Sequence, residues 1–409
     1  MDGARTARPR RRALLTLLLA LALAAAAGWA YSTSFEGVFV FDDIWAIVEN
    51  PNIKTLWPLT TAMSAPAESP VSARPVASLT LALNHALAPP EARDVMRPAG
   101  PRGEPGRTAL FLRNVWGYHA VNLALHVLAG LALFGVVRRT LESDRLRHRL
   151  GEPAAALAFL VALLWLVHPL LTDAVTYVAQ RTEVLMGLFY FLTLYCAIRA
   201  GEAGVADGPR RWWTAGAVAA CALGMGSKQT MVLAPVMVWL WDWMFAPDPA
   251  VGPSGGPRGP VFPARRRVLY AGLASTWVIL AALVAYERWP TSVGSGIGGW
   301  TPWTYILTQT GVITHYLRLA IMPSPPVLDY DGWPMARSVL DVWPSALLLI
   351  VLFVATCAAL IRRTPWGFAG AWIFAALAPS SSILPLPTEI AAGRRMYVPL
   401  AGVVAIAVI

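Results

Sequence analysis

Charge is what this chain has least of. Only 14% of its 409 residues are charged, against roughly 25% in soluble globular domains. With 56% hydrophobic residues and a positive mean hydropathy, a soluble fold could not hide its apolar side chains. Cysteine is scarce as well. Cys196, Cys221 and Cys357 lie singly inside apolar runs, which excludes a disulfide-stapled secreted domain. Lysine is nearly missing, with only Lys54 and Lys228. No HExxH, GxGxxG or Ser/His/Asp arrangement stands where it could work. The net charge of +10 invites a nucleic-acid reading. The basic residues are nearly all Arg in short clusters between apolar runs, however, so no nucleic-acid partner is expected.

What is present is a series of apolar runs long enough to cross a bilayer, which takes about 20 residues. They lie at 13–31, 115–136, 154–171, 184–200, 212–226, 229–245, 268–286, 344–361, 366–385 and 396–409. The fold class is an all-α polytopic membrane protein, with about ten transmembrane helices and added juxtamembrane amphipathic helices. We read the first run as an uncleaved helix rather than a signal peptide. Arg8 to Arg12 place the N-terminus in the cytoplasm, and the clusters Arg138–Arg149, Arg210–Arg211, Arg265–Arg267 and Arg362–Arg363 mark further inside loops. These marks agree only if 304–322 lies along the outer interface instead of crossing, as its Gln309, His315 and Arg318 suggest. The outer side then carries a long first loop, 32–114, a loop at 172–183, a tight turn at Gly226–Gln229, a loop at 287–343 and a last one at 386–395. Residues 246–267 read as a flexible connector. We find no internal repeat and treat 1–409 as one membrane domain. Ile409 falls inside an apolar run, so further chain beyond it is expected.

Charges in short outer loops go against the orientation rule and need a reason. Arg181, Lys228, Arg394 and Arg395 are such charges. One reason is an anionic ligand, since Arg grips phosphate with a fork and Lys with a point charge. The other is pairing with Glu183 and Glu389. Lys228 sits in Gly-Met-Gly-Ser-Lys-Gln, where glycine lets backbone approach a ligand, but this is not a Walker loop. Asp42 and Asp43 form an adjacent carboxylate pair just beyond the first run. Mutual repulsion and burial raise the pKa of one of them, which suits a general base or a metal site; a plain helix cap is the alternative. His119, Asn122 and His126 share a helix face, lining a cavity or bonding neighbouring helices. No carboxylate joins them at ligand spacing, so no metal is assigned. His168-Pro169 with Asp173, and Asp329 with Asp331, are weaker signals. The first pair suits a helix end, and the second a metal, a sugar hydroxyl or chance. The 18 tryptophans suit interface anchors, and indole faces also stack on sugars.

Taken in order, these pieces resemble the GT-C superfamily of membrane glycosyltransferases. The likeness is greatest to the transmembrane and tetratricopeptide-repeat O-mannosyltransferases and their bacterial relatives. Phe41-Asp42-Asp43 with Asn50-Pro51 resembles the family's first outer loop. Arg74-Pro75 with Ser78 and Asn84 is similar to its helix along the membrane. Gly117-Tyr118-His119, Asn122 and His126 resemble its second span. His168-Pro169, Asp173-Ala174-Val175-Thr176-Tyr177 and Arg181 resemble the next outer turn. Ser227-Lys228-Gln229 resembles a Ser-Lys-Glu with Gln in place of Glu. Leu328-Asp329-Tyr330-Asp331 and Arg395-Met396-Tyr397-Val398-Pro399-Leu400 resemble late segments. No piece is specific alone; the ordered set is.

The resemblance implies transfer of a sugar, mannose being expected, from a polyprenyl-phosphate carrier to a hydroxyl of a protein or glycan acceptor. It implies inversion at the anomeric carbon, with Asp42 favoured as base and Asp43 as its orienting partner by analogy with relatives whose pair is Asp-Glu, although the sequence does not separate the two. It also implies Arg181, Lys228, Arg394 and Arg395 on the donor phosphate. Arg74, His119, Asn122, His126, His168, Asp173, Asp329, Asp331 and Tyr397 would shape the site. The lipid-linked donor stands in place of a cofactor, and a divalent metal requirement stays open. Two departures matter: Gln229 removes a carboxylate, and no tetratricopeptide repeats follow. The Arg- and Ala-rich composition suggests a bacterium with GC-rich DNA. The protein would then sit in the inner membrane with its site facing the periplasm. A transporter or lipid flippase is the competing class, but repeated halves and midplane charges are missing. A non-catalytic scaffold is the third.

Overall fold

The computed structural model describes residues 3–88, 115–202, 206–246, 266–287, 299–325, 327–330, 332–381, 385–386 and 389–409, with side chains from Ala13 onward. The described residues are helical, without strands. The main helices are α1 (Gly3–Ala30), α2 (Pro75–Leu87), α3 (Trp116–Leu141), α4 (Ala154–Leu166), α5 (Arg181–Gly201) and α6 (Asp207–Met225). They continue with α7 (Ala234–Phe245), α8 (Arg267–Tyr286), α9 (Pro302–Ile321), α10 (Trp343–Ile361), α11 (Pro365–Leu377) and α12 (Pro399–Val408).

Every apolar run read from the sequence lies on a helix, but not every helix is a full span. Among the described residues, five are long and apolar enough to cross a membrane: Ala13–Ala30, Trp116–Leu141, Val178–Gly201, Arg267–Tyr286 and Trp343–Ile361. A sixth arises if α4 and the segment Pro169–Thr176, bent by 53°, count together. The expected ten is therefore not reached by length and composition. Proline accounts for two of the shortfalls: Pro169 follows the end of α4, and Pro235 sits in the first turn of α7, which starts late, whereas α11 opens at Pro365 but stops at Leu377.

Helix α5 is the centre of the bundle, lying against both α3 and α6; α4 packs on α3 and α12. Two glycines allow the closest approaches. A Cβ on Gly130 would lie 2.6 Å from Leu166, and one on Gly187 would lie 2.3 Å from the Tyr397 ring. Helix α10 buries none of its residues although it is apolar along its whole length, which suits a membrane-crossing helix. Helix α9, expected as an amphipathic helix, buries one stripe: Tyr305, Thr308, Gln309, Val312, Tyr316 and Leu319. A Thr301–Thr304 capping box opens it.

The described part of the segment that follows α1, expected as the first outer loop, has its own small core. Phe39, Ile47, Ile53, Val71 and Leu81 pack with Tyr118 and Tyr177. The loop thereby docks on the same ends of α3 and α5 that carry His119 and Arg181.

Candidate functional site

The carboxylate pair is held by backbone. Asp43 is fully buried. Its Oδ1 accepts from the Ala179 amide at 2.6 Å and its Oδ2 from the Val40 amide at 3.0 Å. Burial, only partly offset by these amides, pushes its pKa up to about 7. Asp43 is thus spent on tying the first outer loop to the turn before α5. Asp42 is different. Its amide donates to the Tyr177 hydroxyl at 2.8 Å, while its half-buried carboxylate takes no hydrogen bond among the described residues. Phe41, just before it, adopts φ +42, and Ala73, just before Arg74, adopts φ +52. Non-glycine residues rarely take this left-handed conformation, and such strain concentrates at functional sites.

A cluster of cations lies beside the pair, knitted to carboxylates. Arg394 Nη1 donates to Asp173 Oδ2 at 3.1 Å, and its Nη2 lies 2.9 Å from Glu389 Oε1. Its guanidinium also stands 5.8 Å from the Tyr177 ring centroid. Arg395 Nε lies 3.9 Å from the same Glu389 oxygen. Lys228 pairs with Glu183. Arg74 Nη1 donates to the Pro70 carbonyl at 2.6 Å, and its buried Nε has no partner among the described residues. The Val76 amide donates to the Gly226 carbonyl at 3.0 Å, which seats the start of α2 on the turn carrying Lys228.

The electrostatics connect these groups. Burial lowers the pKa of Lys228, against the pull of Glu183. Lost hydration pushes Glu389 up, yet Arg394, Arg395, Lys228 and Arg74 together hold it below the usual range. Burial pulls Arg394 down, but Glu389 and Asp173 carry it well above its ordinary value. The pairing read from the sequence as the alternative, with Glu183 and Glu389, is therefore present.

Arg181 is placed elsewhere than expected. It is fully buried. Its Nε donates to Asn122 Oδ1 at 2.7 Å, and its Nη2 to Asn84 Oδ1 at 2.8 Å and the Tyr118 carbonyl at 3.0 Å. Its Nη1 donates to the Thr80 carbonyl at 3.2 Å. It clamps α2, α3 and α5 together, and its donors face inward. His126 is also structural in its contacts. Nε2 faces the Leu166 carbonyl at 3.0 Å, so it carries the proton, and Nδ1 accepts from the Tyr397 hydroxyl at 2.8 Å. His119 lies buried beside Gly37, its ring nitrogens outside hydrogen-bond geometry. His168 Nδ1 accepts from the Leu170 amide, and its Nε2 donates to the Ala320 carbonyl at 3.2 Å, joining the outer turn to α9. Asp329 is exposed, next to Tyr330, which lines a pocket with Asp173 and Gly393, and Asp331 lies outside the described residues.

The sequence marks Tyr177 only as the end of the Asp173–Tyr177 segment, with no role of its own, and does not single out Glu287. Gln229 Nε2 donates to Glu287 Oε2 at 3.1 Å, so a carboxylate from α8's end sits beside the position that lacks one. No local signal links 229 to 287; only packing does. Among the described residues, no group of three or more His, Cys, Asp or Glu side chains could hold a metal ion.

Known proteins with similar sequences share one activity in their names. The resemblance is to protein O-mannosyl-transferases. Human protein O-mannosyl-transferase TMTC1 is 32% identical over 189 residues, 44% of this chain and 18% of its own length. Human TMTC4 is 30% identical over 185 residues, 41% of this chain and 21% of its own length. Drosophila melanogaster Tmtc2 is 28% identical over 235 residues, 56% of this chain and 23% of its own length. The chain thus spans less than a quarter of each of these O-mannosyl-transferases. No family model matches it, and no solved structure matches it significantly.

Proposed function

We propose that this chain is the membrane part of a glycosyltransferase that moves mannose from a polyprenyl-phosphate carrier to a protein hydroxyl. Asp42 acts as base. It takes the proton of the acceptor hydroxyl as that oxygen bonds to the anomeric carbon of the sugar. The bond from that carbon to the phosphate oxygen breaks on the opposite face, so the configuration inverts and polyprenyl phosphate leaves. Negative charge grows on the phosphate in the transition state, where fixed cations stabilise it most. Arg74, Lys228, Arg394 and Arg395, the cations gathered around Glu389, take that role.

One observation carries the reading. Asp42 keeps a carboxylate without hydrogen bonds among the described residues, while its neighbour Asp43 is bound by two amides, Arg74 lies within electrostatic reach of Asp42, and Arg394 faces the Tyr177 ring whose hydroxyl receives the Asp42 amide. A base needs a free oxygen within reach of a hydroxyl. The names of the similar proteins supply the sugar and the acceptor class. We further propose that the short helices complete about ten crossings, and that the site faces the exterior of the inner membrane, as the arginine clusters at the opposite helix ends suggest.

The test uses the purified chain with polyprenyl-phosphate mannose and membrane-extract acceptors, following release of polyprenyl phosphate. Asp42→Asn should abolish transfer with folding intact. Transfer that survives Asp42→Asn would overturn the assignment of the base.

A further inference from the structure

A second charged site lies at the other end of the same helices. Helix α3 carries Asn122 near its start and Arg138 near its end, about 24 Å away at 1.5 Å per residue. In the loop beyond it, Arg145 Nη1 donates to the Met244 carbonyl in the last turn of α7 at 2.9 Å, and its Nη2 donates to the Arg363 carbonyl. Arg363 lies in the turn between α10 and α11 and adopts φ +51. Its guanidinium stacks 4.8 Å from the Trp243 ring centroid.

Three chain segments thus bring two arginines together, and among the described residues no carboxylate pairs with either. Glu142 is taken by Arg138 and Asp144 by Arg147, each at 3.0 Å. The Arg363 side chain donates to no acceptor among the described residues. Arg145 uses two of its five N–H groups. Lost hydration and then the nearby Arg363 charge pull the Arg145 guanidinium below its ordinary value. Arg362 lies exposed beside them. Holding like charges together costs energy that an anion would relieve.

We propose that Arg145 and Arg363, with Trp243 as the floor, bind the phosphate of an anionic phospholipid in the leaflet at this end of the bundle. Guanidinium forks match phosphate oxygens, and basic pockets between membrane helices suit anionic headgroups. The surroundings favour a lipid over free phosphate. Ile361 and Trp366, on either side of the arginines in sequence, are 81% and 50% exposed. The unburied flank of α10 continues from there as a surface for acyl chains.

The experiment is native mass spectrometry of the delipidated chain in detergent. It would be titrated separately with phosphatidylglycerol, phosphatidylcholine and inorganic phosphate. Phosphatidylglycerol should be retained over phosphatidylcholine. Arg363→Gln removes no side-chain hydrogen bond and should lower that retention about fivefold, the expected effect of one arginine at an anionic lipid. Arg145→Ala should act likewise, although its loss also frees two helix-end carbonyls. Arg211→Ala, an exposed arginine elsewhere, removes the same charge and should change nothing. Equal retention of the two lipids, or an equal loss in Arg211→Ala, would overturn the site. Displacement of phosphatidylglycerol by inorganic phosphate would overturn the lipid and leave a free-phosphate site.

Discussion

The amide of Asp42 donates to the phenolic oxygen of Tyr177 at 2.8 Å, joining the first outer loop to the turn before α5. The same Tyr177 ring faces the Arg394 guanidinium. One side chain therefore sets the distance between the proposed base and the proposed phosphate site.

Tyr177→Phe should separate position from chemistry. The ring and its cation contact remain, and only the hydrogen bond goes. We expect kcat to fall about tenfold, with KM for the lipid donor little changed. A loss of stability of about 1 kcal/mol should accompany it. A drop in stability with unchanged kcat would show that Tyr177 only braces the loop.

Asp43 should make stability depend on pH. Its folded pKa, about 7, lies above the ordinary aspartate value of 3.8. The protonated acid is therefore favoured by folding. Its stabilisation is fully present below about pH 4 and is lost as pH rises through 7, by up to about 4 kcal/mol. Thermal unfolding of the parent in detergent should fall across this window. Asp43→Asn should flatten the slope, because its amide does not titrate. An identical slope in the variant would assign it to other groups.

Arg181→Lys tests whether Arg181 clamps or binds. Lysine keeps the charge but cannot span four acceptors. Stability should drop by about 3 kcal/mol, since Asn122, Asn84 and two carbonyls lose their donors. KM for the donor should stay within twofold, roughly, once folding is accounted for. A large rise in KM with unchanged unfolding temperature would return Arg181 to the phosphate.

Glu183→Gln leaves Lys228 unpaired in a site where its side chain is 17% exposed. Removing one partner of a buried pair costs about 3 kcal/mol. Adding Lys228→Met should recover part of that loss, a coupling that a double-mutant cycle reads directly. Strict additivity would mean that the two charges do not depend on each other.

The sequence by itself determined the class of the protein. Apolar runs and arginine clusters are local signals, and each run falls on a helix because side-chain periodicity and proline positions act within a few residues. The carboxylate pair and the outer cations were legible for the same reason: a charge where hydrophobic chain surrounds it stands out. What each charge does was decided only by tertiary structure. Arg181 and Arg394 look alike in sequence, yet one is enclosed by carbonyl oxygens from two neighbouring helices and the other by two carboxylates. Asp42 and Asp43 are adjacent, yet only Asp43 meets the Val40 and Ala179 amides. Lys228 meets Glu183 across 45 residues and Arg394 meets Asp173 across 221, and only packing sets which partner arrives within hydrogen-bond range.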